Sequence, residues 1–513
     1  MARARRHGLG HRAADPIAGL TFRHIFPREA GVDFPDNLEL TMGAGVTCEP
    51  APFHFMTRGL GGVVVAMRNA GTSLPARLLA MWALAALGAC GGGGSASEPT
   101  GEGSPPPVGG GPVPAPSPAP SPAPSPAPGV AVALYFSDCQ VGAAPGCVPG
   151  NNANPGTQAA PKQNLSGINV NSLPAGSQLL FARGGAWSSF QVSLDNRNAT
   201  EAAALTFADY GTGALPLLQT PSGTALNFGR YGDTVSDGGY VFRNLKLDGR
   251  GTGQWGAFVQ GGTRGVVFDG VEIANFAIGI HAQQANGATN ERLTVRNSFL
   301  HHNHEHGFLG DSNDLLIEAT RFEDNNPSGG GFEHGAYLGG HSTGLTVRNN
   351  VFRRNSAPGG VCDGGNLTIH GQHERVTIEG NLIEQSSAVN TCFGISLTAG
   401  YSTGEWFNNA VIRNNTVVNV GVCAVCVSAA PGVLIETNKV YNTQATHQYG
   451  VLVPAIATGA GDAQDGGAIV RDNVVCYSAP ATGSAVVQAP SAASITNNTY
   501  VTGSAASSGA CAR

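Results

Sequence analysis

The chain has 513 residues, including 74 glycines and 32 prolines, and only 12% of its residues are charged. This composition is typical of a turn-rich β-protein and argues against an α-helical enzyme. The formal net charge is −6, and the sequence contains no basic run and no basic-aromatic platform, so we predict no nucleic-acid partner.

The first 89 residues are interpreted as two segments outside the folded domain. Residues 1–66 have mixed charges and no hydrophobic periodicity, and we interpret them as an extension from a mis-assigned translation start. Residues 67–89 begin with Met67, carry Arg68 and Arg77, and continue with an apolar run at 78–87. That order predicts a secretory signal peptide whose apolar run is too short to remain as a membrane-spanning helix.

The end of this segment, Leu87-Gly88-Ala89-Cys90, resembles a bacterial lipobox. The resemblance implies cleavage before Cys90 and attachment of lipid to its sulfur. The alternative is an ordinary signal peptide followed by an incidental cysteine. Gly91 rather than Asp follows the cysteine, which by resemblance to other lipoproteins implies sorting to the outer membrane of a Gram-negative cell, facing the periplasm or the cell surface.

Residues 90–129 are predicted to be a tether. Glycines fill positions 91–94, and Pro-Ala-Pro-Ser repeats dominate 105–128. Such a run favours an extended polyproline helix at about 3.1 Å per residue, on the order of 70 Å in all. We expect the tether to hold the following domain away from the membrane.

Residues 130–513 are predicted to form one domain built from a repeat. Each repeat has an apolar residue, a charged residue directly after it in most repeats, and a second apolar residue five positions after the first. The first apolar series is Phe242, Phe268, Val295, Ile317, Val347, Ile378, Ile412, Ile435, Val470 and Ile495. The second is Leu247, Ile273, Leu300, Phe322, Phe352, Ile383, Val417, Val440, Val475 and Tyr500.

The charged positions alternate in sign without a break. Like charges on strands about 4.8 Å apart would repel, so the alternation has a physical meaning only if each repeat lies directly on the last. A column of asparagines three residues after the first apolar position predicts a hydrogen-bonded ladder at a turn. The charges are Arg243, Asp269, Arg296, Glu318, Arg348, Glu379, Arg413, Glu436 and Arg471, and the asparagines are Asn350, Asn381, Asn415, Asn438, Asn473 and Asn498.

Period-two alternation predicts short strands, and no sustained 3.6-residue pattern indicates a helix. A third strand follows a glycine in most repeats, as at 256–259, 307–309, 335–338, 394–397 and 450–453. Three short strands in each of about ten or more coils predict an all-β parallel β-helix.

From about residue 134 to 513 the chain resembles the right-handed parallel β-helix superfamily, which is pectate-lyase-like, and segments 154–157, 173–177 and 181–185 resemble its usual lead-in to the first coils. The resemblance implies a right-handed coil. Lyases, epimerases, hydrolases and adhesins share this fold, so it does not settle the function.

Eight cysteines follow the proposed lipid acceptor within the predicted domain. An even number in an exported domain predicts structural disulfides, and Cys139 with Cys147 closes a short loop. The Cys423–Cys426 spacing is also a weak zinc or redox signal. The connectivity stays open among Cys139, Cys147, Cys362, Cys392, Cys423, Cys426, Cys476 and Cys511.

Histidines give the sharpest functional hint, because nine of them lie between His281 and His373. The tripeptide Glu-His-Gly occurs twice, 28 residues apart, as Glu305-His306-Gly307 and Glu333-His334-Gly335. If the coils stack, equivalent residues of the two tripeptides become neighbours, with Tyr337 two residues beyond.

This grouping suits β-elimination or C5 epimerisation of a uronic-acid polysaccharide. Removal of a proton next to a carboxylate requires a base, a proton donor and a group that stabilises the enolate. We assign the base to His306 or His334, the donor to Tyr337, and the stabilising group to Arg353, Arg354 or a second histidine. Segments 333–338 and 345–350 resemble the coils of alginate lyases and epimerases, but the Asp-Pro-His-Asp signature of the epimerases is missing.

Other interpretations use the same residues. If Glu305 and Glu333 stack, the separation of their carboxyl groups would be near the roughly 5 Å that retaining glycosidases use. Glycoside hydrolysis is therefore a second alternative. His302, His304 and His306 alternate and are weak candidates for a divalent cation, calcium or zinc, although no cofactor is expected with certainty.

The cluster is also compatible with a non-catalytic surface protein, either one that binds carbohydrate or a structural, adhesin-like one, in which the Glu-His pairs are only a polar stack. Asp311 and Asp314 are interpreted as a solvated turn. The expected partners are a polysaccharide and, through the lipid, a membrane, and the expected state is a monomer.

Overall fold

In the computed structural model of the chain, the described residues are 129–229, 237–284, 288–329, 333–400, 404–444, 449–455, 458–479, 487–489 and 493–512. The predicted extension, signal peptide, Cys90 and nearly all of the tether lie outside these ranges. Within the described part of the chain, no helix is both long and apolar enough to cross a membrane.

The described residues form strands of 2 to 15 residues joined by turns and loops, with short 3-10 helices at Val170–Ser172, Pro358–Gly360, Gly503–Ser507 and Gly509–Cys511. In chain order the strands are β1 (Ala133–Phe136), β2 (Gln178–Ala182), β3 (Ala186–Trp187), β4 (Val192–Leu194), β5 (Leu205–Tyr210), β6 (Leu217–Gln219), β7 (Thr224–Phe228), β8 (Gly238–Arg243), β9 (Lys246–Val259), β10 (Arg264–Asp269), β11 (Glu272–Ala282), β12 (Thr294–Arg296), β13 (Phe299–His301), β14 (Phe308–Gly310), β15 (Leu316–Glu318), β16 (Arg321–Glu323), β17 (His334–Arg348), β18 (Val351–Arg353), β19 (Gly365–Glu379), β20 (Leu382–Glu384), β21 (Phe393–Leu397), β22 (Trp406–Asn408), β23 (Val411–Arg413), β24 (Thr416–Val418), β25 (Cys423–Val427), β26 (Leu434–Glu436), β27 (Lys439–Asn442), β28 (Tyr449–Leu452), β29 (Ile469–Arg471), β30 (Val474–Tyr477), β31 (Val487–Gln488), β32 (Ser494–Thr496) and β33 (Thr499–Thr502).

Parallel pairing sorts these strands, except β22, into three stacks, and one turn of the chain adds a strand to each. β22 pairs instead with residues 372–374 in the middle of β19. The first stack is β1, β2, β5, β8, β10, β12, β15, the ends of β17 and β19, β23, β26, β29 and β32. The second is β3, β6, the starts of β9 and β11, β13, β16, β18, β20, β24, β27, β30 and β33. The third is β4, β7, the ends of β9 and β11, β14, the starts of β17 and β19, β21, β25, β28 and β31.

The interior holds both apolar series that the sequence predicted. Their members are almost fully buried from Phe242 to Val475, and aromatic rings stack along the axis, as in Phe322 over Phe352 at 4.8 Å between ring centroids. In the coil nearest the C-terminus, Ile495 and Tyr500 are 48% and 45% exposed. The predicted parallel β-helix with three strands per coil is therefore confirmed.

The alternating charges are brought together as the register requires. Arg348 is the Cα partner of Glu318 below and of Glu379 above, and its Nε lies 2.8 Å from a Glu318 carboxylate oxygen. Arg413 pairs in the same way with Glu379 at 2.6 Å. Each of these two arginines makes its close ion pair with one neighbour, whereas Asp269 lies 3.8 Å from Arg243 and 2.9 Å from Arg296.

The predicted asparagine ladder is also present. Asn415 is fully buried, and its side-chain nitrogen donates to the Ile378 carbonyl at 3.0 Å and to Asn438 Oδ1 at 2.9 Å. The backbone N–H of Asn381 donates to Asn415 Oδ1 at 3.0 Å. Each rung thus satisfies buried polar groups of two coils, which fixes the turn between the first and second stacks.

The eight cysteines form four disulfides, which confirms the predicted structural role and supplies the connectivity. The bonds are Cys139–Cys147, Cys362–Cys392, Cys423–Cys426 and Cys476–Cys511.

Candidate functional site

The candidate site is built where the chain enters the third stack. A second asparagine ladder, which sequence reasoning missed, fixes this corner: Asn303 donates to Asn325 Oδ1, and Asn325 donates to Asn355 Oδ1, both at 2.9 Å. His306 follows Asn303 by three residues. Because the ladder aligns successive corners, the residues after each corner also align.

The two histidines of the repeated tripeptide are neighbours, as predicted. The ring centroids of His306 and His334 are 5.9 Å apart, and the backbone N–H of His334 donates to His306 Nδ1 at 3.1 Å. The Tyr337 ring lies parallel to the His334 ring at 5.3 Å and 5.9 Å from the His306 ring. The structure thus brings these three side chains into one cluster.

Two further histidines extend the cluster along the axis. His281 is the register partner of Leu309, which in turn pairs with Tyr337, so the three occupy successive outward positions of the third stack. His370 lies on the other side, with its ring 5.6 Å from the Tyr337 ring. An alignment of the Gly-apolar-X triplets of the third strand would have shown from the sequence that His281 occupies the same outward position as Tyr337. No repeat in the sequence indicates that His370 belongs to the cluster.

Burial controls the protonation of these imidazoles. Removal from water lowers the pKa of His281 and of His306 to about 4. Burial also holds the pKa of His334 well below its ordinary value, and the neighbouring His306 and His370 lower it further. The three rings are consequently neutral near pH 7 and able to accept or donate hydrogen bonds.

The hydrogen bond to His306 also assigns its tautomer. A neutral ring that accepts at Nδ1 carries its proton on Nε2. His306 therefore presents an N–H donor from Nε2. His334 Nδ1 makes no hydrogen bond within the described residues.

The two glutamates of the tripeptide border the cluster. Burial raises the pKa of Glu305, and burial together with the charge of Glu305 raises the pKa of Glu333. The charge of Glu305 thus acts on Glu333, in agreement with the predicted stacking of the coils.

The arginines chosen from the sequence are not brought to the cluster. Arg353 ends β18 in the second stack, where its guanidinium lies 3.0 Å from Glu384 and 3.8 Å from Glu323. Arg354 lies 2.7 Å from Asp324 and 3.3 Å from Glu323. These positive charges are engaged by carboxylates around a corner of the coil, which argues against the assignment of either as the group that stabilises an enolate.

The three alternating histidines do not share a face. Residues 302–307 lie between β13 and β14, and His302 adopts a left-handed φ of 53°, so the period-two argument does not apply there. His302 and His304 are exposed, whereas His306 is 7% exposed. Among the described residues, no group of three or more His, Cys, Asp or Glu side chains is placed to hold a metal ion.

Asp311 is not part of a solvated turn, contrary to the interpretation of the sequence. It is 1% exposed, and burial raises the pKa of its carboxyl group to about 7, although Gln284 donates to both of its oxygens at 2.9–3.0 Å. It lies beside Gly340, three residues past Tyr337, where an added Cβ would come within 2.8 Å of Asp311 Oδ2. A carboxyl group with this pKa can hold a proton near neutral pH.

The fold and the matching family agree. Residues 234–403 match the family described as "Right handed beta helix region", in agreement with the parallel β-helix described above. No curated protein matches the chain at significant similarity.

Several solved structures are similar in fold. A lacto-N-biosidase from Eubacterium ramulus has 13% identity and a TM-score of 0.44, with 67% of this chain and 68% of that chain covered. The A-module of a mannuronan C-5 epimerase from Azotobacter vinelandii has 19% identity and a TM-score of 0.39, covering 64% and 86%. An alginate lyase from a Paenibacillus strain has 14% identity and a TM-score of 0.34, covering 64% and 94%. At these values the likeness concerns the fold alone.

Proposed function

We propose that this protein cleaves an acidic polysaccharide by β-elimination on the outer face of the third stack. The observation that carries the proposal is the packing of two buried, neutral imidazoles, His306 and His334, around the ring of Tyr337. Buried titratable groups with shifted pKa values and no structural ion pair are typical of catalytic sites.

The roles follow from the tautomers and the chemistry. Elimination removes the proton at C5 of a uronate and breaks the bond from C4 to the glycosidic oxygen, which leaves with a proton and yields an unsaturated sugar. His334 is the proposed base and Tyr337 the proposed donor to the leaving oxygen. The Nε2–H of His306 would donate to the enolate oxygen.

The direct test incubates the purified protein with a panel of uronate-containing polymers and measures the ultraviolet absorbance of the unsaturated product. Wild type should generate this product from at least one polymer, and His334→Gln should not. Shorter polymers without the unsaturated product would overturn elimination and favour hydrolysis. Binding without any shortening would indicate a non-catalytic carbohydrate-binding protein.

Hydrolysis is the second candidate, because the charge of Glu305 acts on Glu333 and both carboxyl groups have raised pKa values. A raised pKa suits a general acid, and a neighbouring carboxylate suits a nucleophile. Glu305→Gln and Glu333→Gln should abolish new reducing ends if hydrolysis operates. Under elimination, both variants should retain most of the activity.

We also propose that Cys90 carries lipid and anchors the protein at the outer membrane. Support comes from the order of basic, apolar and small residues before Cys90 and from the proline-rich stretch after it. Radiolabelled palmitate fed to a Gram-negative host should label the wild-type protein and not Cys90→Ser. Equal labelling of both, or labelling of neither, would contradict the proposal.

A further inference from the structure

A groove continues from the histidine cluster toward the N-terminal coils. It lies on the outer face of β4, β7 and β9 and has a volume of about 570 Å³. Phe258, in its lining, is the register partner of His281, so the groove and the cluster share one face of the third stack.

Two aromatic rings form one wall of this groove. Trp255 and Phe258 are 4.3 Å apart between ring centroids and tilted by 38°, and the Trp255 ring lies 5.2 Å from His281. Trp255 is half-buried, so part of its surface remains in contact with solvent. The negative face of an aromatic ring attracts the C–H groups on the apolar side of a sugar ring.

The rest of the lining is polar and uncharged. Gln260 is 6% exposed, and its Oε1 is buried without a hydrogen-bond partner among the described residues, although its Nε2 lies 3.4 Å from Asn227 Oδ1. A buried acceptor without a partner is costly, and a ligand hydroxyl would satisfy it. Gln191 adds a third amide side chain, and no lining residue of this groove carries a charge.

We propose that this groove is a subsite for a neutral pyranose, held by stacking on Trp255 and by a hydroxyl that donates to Gln260 Oε1. The placement of the subsite on the substrate path rests on the function proposed above. Trp255 lies two coils from His306 and three from His334, a span of about 10–14 Å. The substrate class is therefore a mixed polymer in which neutral sugars lie a short distance from the cleaved uronate.

The test measures binding of two polymers to the full protein: gellan, which mixes glucuronate with neutral sugars, and alginate, which contains only uronates. Trp255→Ala should weaken binding of gellan about tenfold or more and leave binding of alginate unchanged. Trp255→Phe should retain most of the affinity for gellan, which guards against a folding defect. Trp406→Ala, at another half-buried tryptophan in β22, is the matched control.

Equal affinity of Trp255→Ala and wild type for gellan would overturn the subsite, as would an equal loss for both polymers or a wild type that does not bind gellan. The outcome is separable from the catalytic proposal. If no polymer yields an unsaturated product but Trp255→Ala still loses gellan selectively, the subsite stands and the elimination fails. If an unsaturated product forms but Trp255→Ala binds gellan as the wild type does, the elimination stands and the subsite fails.

Discussion

At the scale of residues, the central feature is a row of imidazoles held without charge. His306 and His334 are 7% and 5% exposed, and no carboxylate is among the causes of their pKa shifts. An ion pair would raise an imidazole pKa, whereas burial among other imidazoles lowers it. The environment therefore keeps the rings deprotonated at the pH where a base must work.

His334 should be the most sensitive position for catalysis. We expect His334→Gln to lower the rate of product formation at least about 100-fold, because a positioned base contributes on that order. Initial rates of absorbance increase measure the effect. His301→Gln is the control, since His301 lies in the second stack against Phe299, with centroids 4.0 Å apart. A His334→Gln enzyme as fast as this control would rule out His334 as the base.

Gly365 should affect the same reaction only indirectly, because its lack of a side chain leaves room for the His334 imidazole. A Cβ at residue 365 would lie 2.5 Å from His334 Nδ1 and would also overlap Thr368 Oγ1. Gly365→Ala should displace the imidazole and reduce kcat by about 10- to 100-fold. Gly466→Ala, where an added Cβ meets no heavy atom within 4 Å, should leave kcat unchanged. Normal kcat in Gly365→Ala would show that the imidazole position is not critical.

At the scale of elements, two asparagine ladders hold the corners between stacks. The ladder from Asn350 to Asn498 was visible in the sequence, whereas the ladder of Asn303, Asn325 and Asn355 was not. The second ladder fixes the corner at which the chain leaves the second stack and enters the third. It therefore fixes the positions of His306 and His334, which follow this corner. The cluster therefore depends on corner geometry as much as on strand register.

Removal of one interior rung should destabilise the fold. Asn415→Ala would leave the Ile378 carbonyl and the Asn381 N–H without partners in a buried corner. We expect the free energy of unfolding to fall by about 2–5 kcal/mol, as measured by urea denaturation. Asn498→Ala, at a half-buried rung, should cost less because water can replace the lost bonds. A larger loss for Asn498→Ala would contradict this account of the ladder.

At the scale of the whole molecule, each coil rests on its neighbours, so stability is distributed along the stack. The buried histidines link that stability to pH. Five of them, including His370 and His373, have pKa values below the ordinary 6.5, and three are near 4. At pH values between the ordinary pKa of 6.5 and the lowered pKa values of the folded state, these histidines bind protons in the unfolded chain and not in the folded chain.

The free energy of unfolding should therefore decrease as pH falls from 7 to 4. Asp311 acts in the opposite direction, because its raised pKa of about 7 lets the folded state bind a proton first. The raised pKa values of Glu305, Glu333 and Asp465 act in the same direction as that of Asp311. The net effect is expected to be destabilising, since the five histidines outnumber these four carboxyl groups. Urea denaturation at several pH values measures the slope, and His281→Gln should make it shallower. Stability that is constant or rises toward pH 4 would show that the imidazoles are not held neutral.

Much of the fold and part of the site were predictable from the sequence. The apolar columns, the charge alternation and the Glu-His-Gly repeat fixed which residues stack, and Phe322, Arg348 and His334 lie where this reasoning placed them. Arg353 was misjudged because distance along the chain does not show which side of the coil a residue occupies. His302 was misjudged because a left-handed residue interrupts the strand.

The sequence by itself determined the repeat, its register and the pairing of His306 with His334, because a stacked solenoid turns equivalent letters into spatial neighbours. Tertiary structure decided what the repeat does not encode. It brought His370 beside Tyr337, buried Asp311, set the disulfide connectivity and placed Arg353 around a corner. It also fixed the charge states, because the pKa of an imidazole depends on how much water the folded chain excludes.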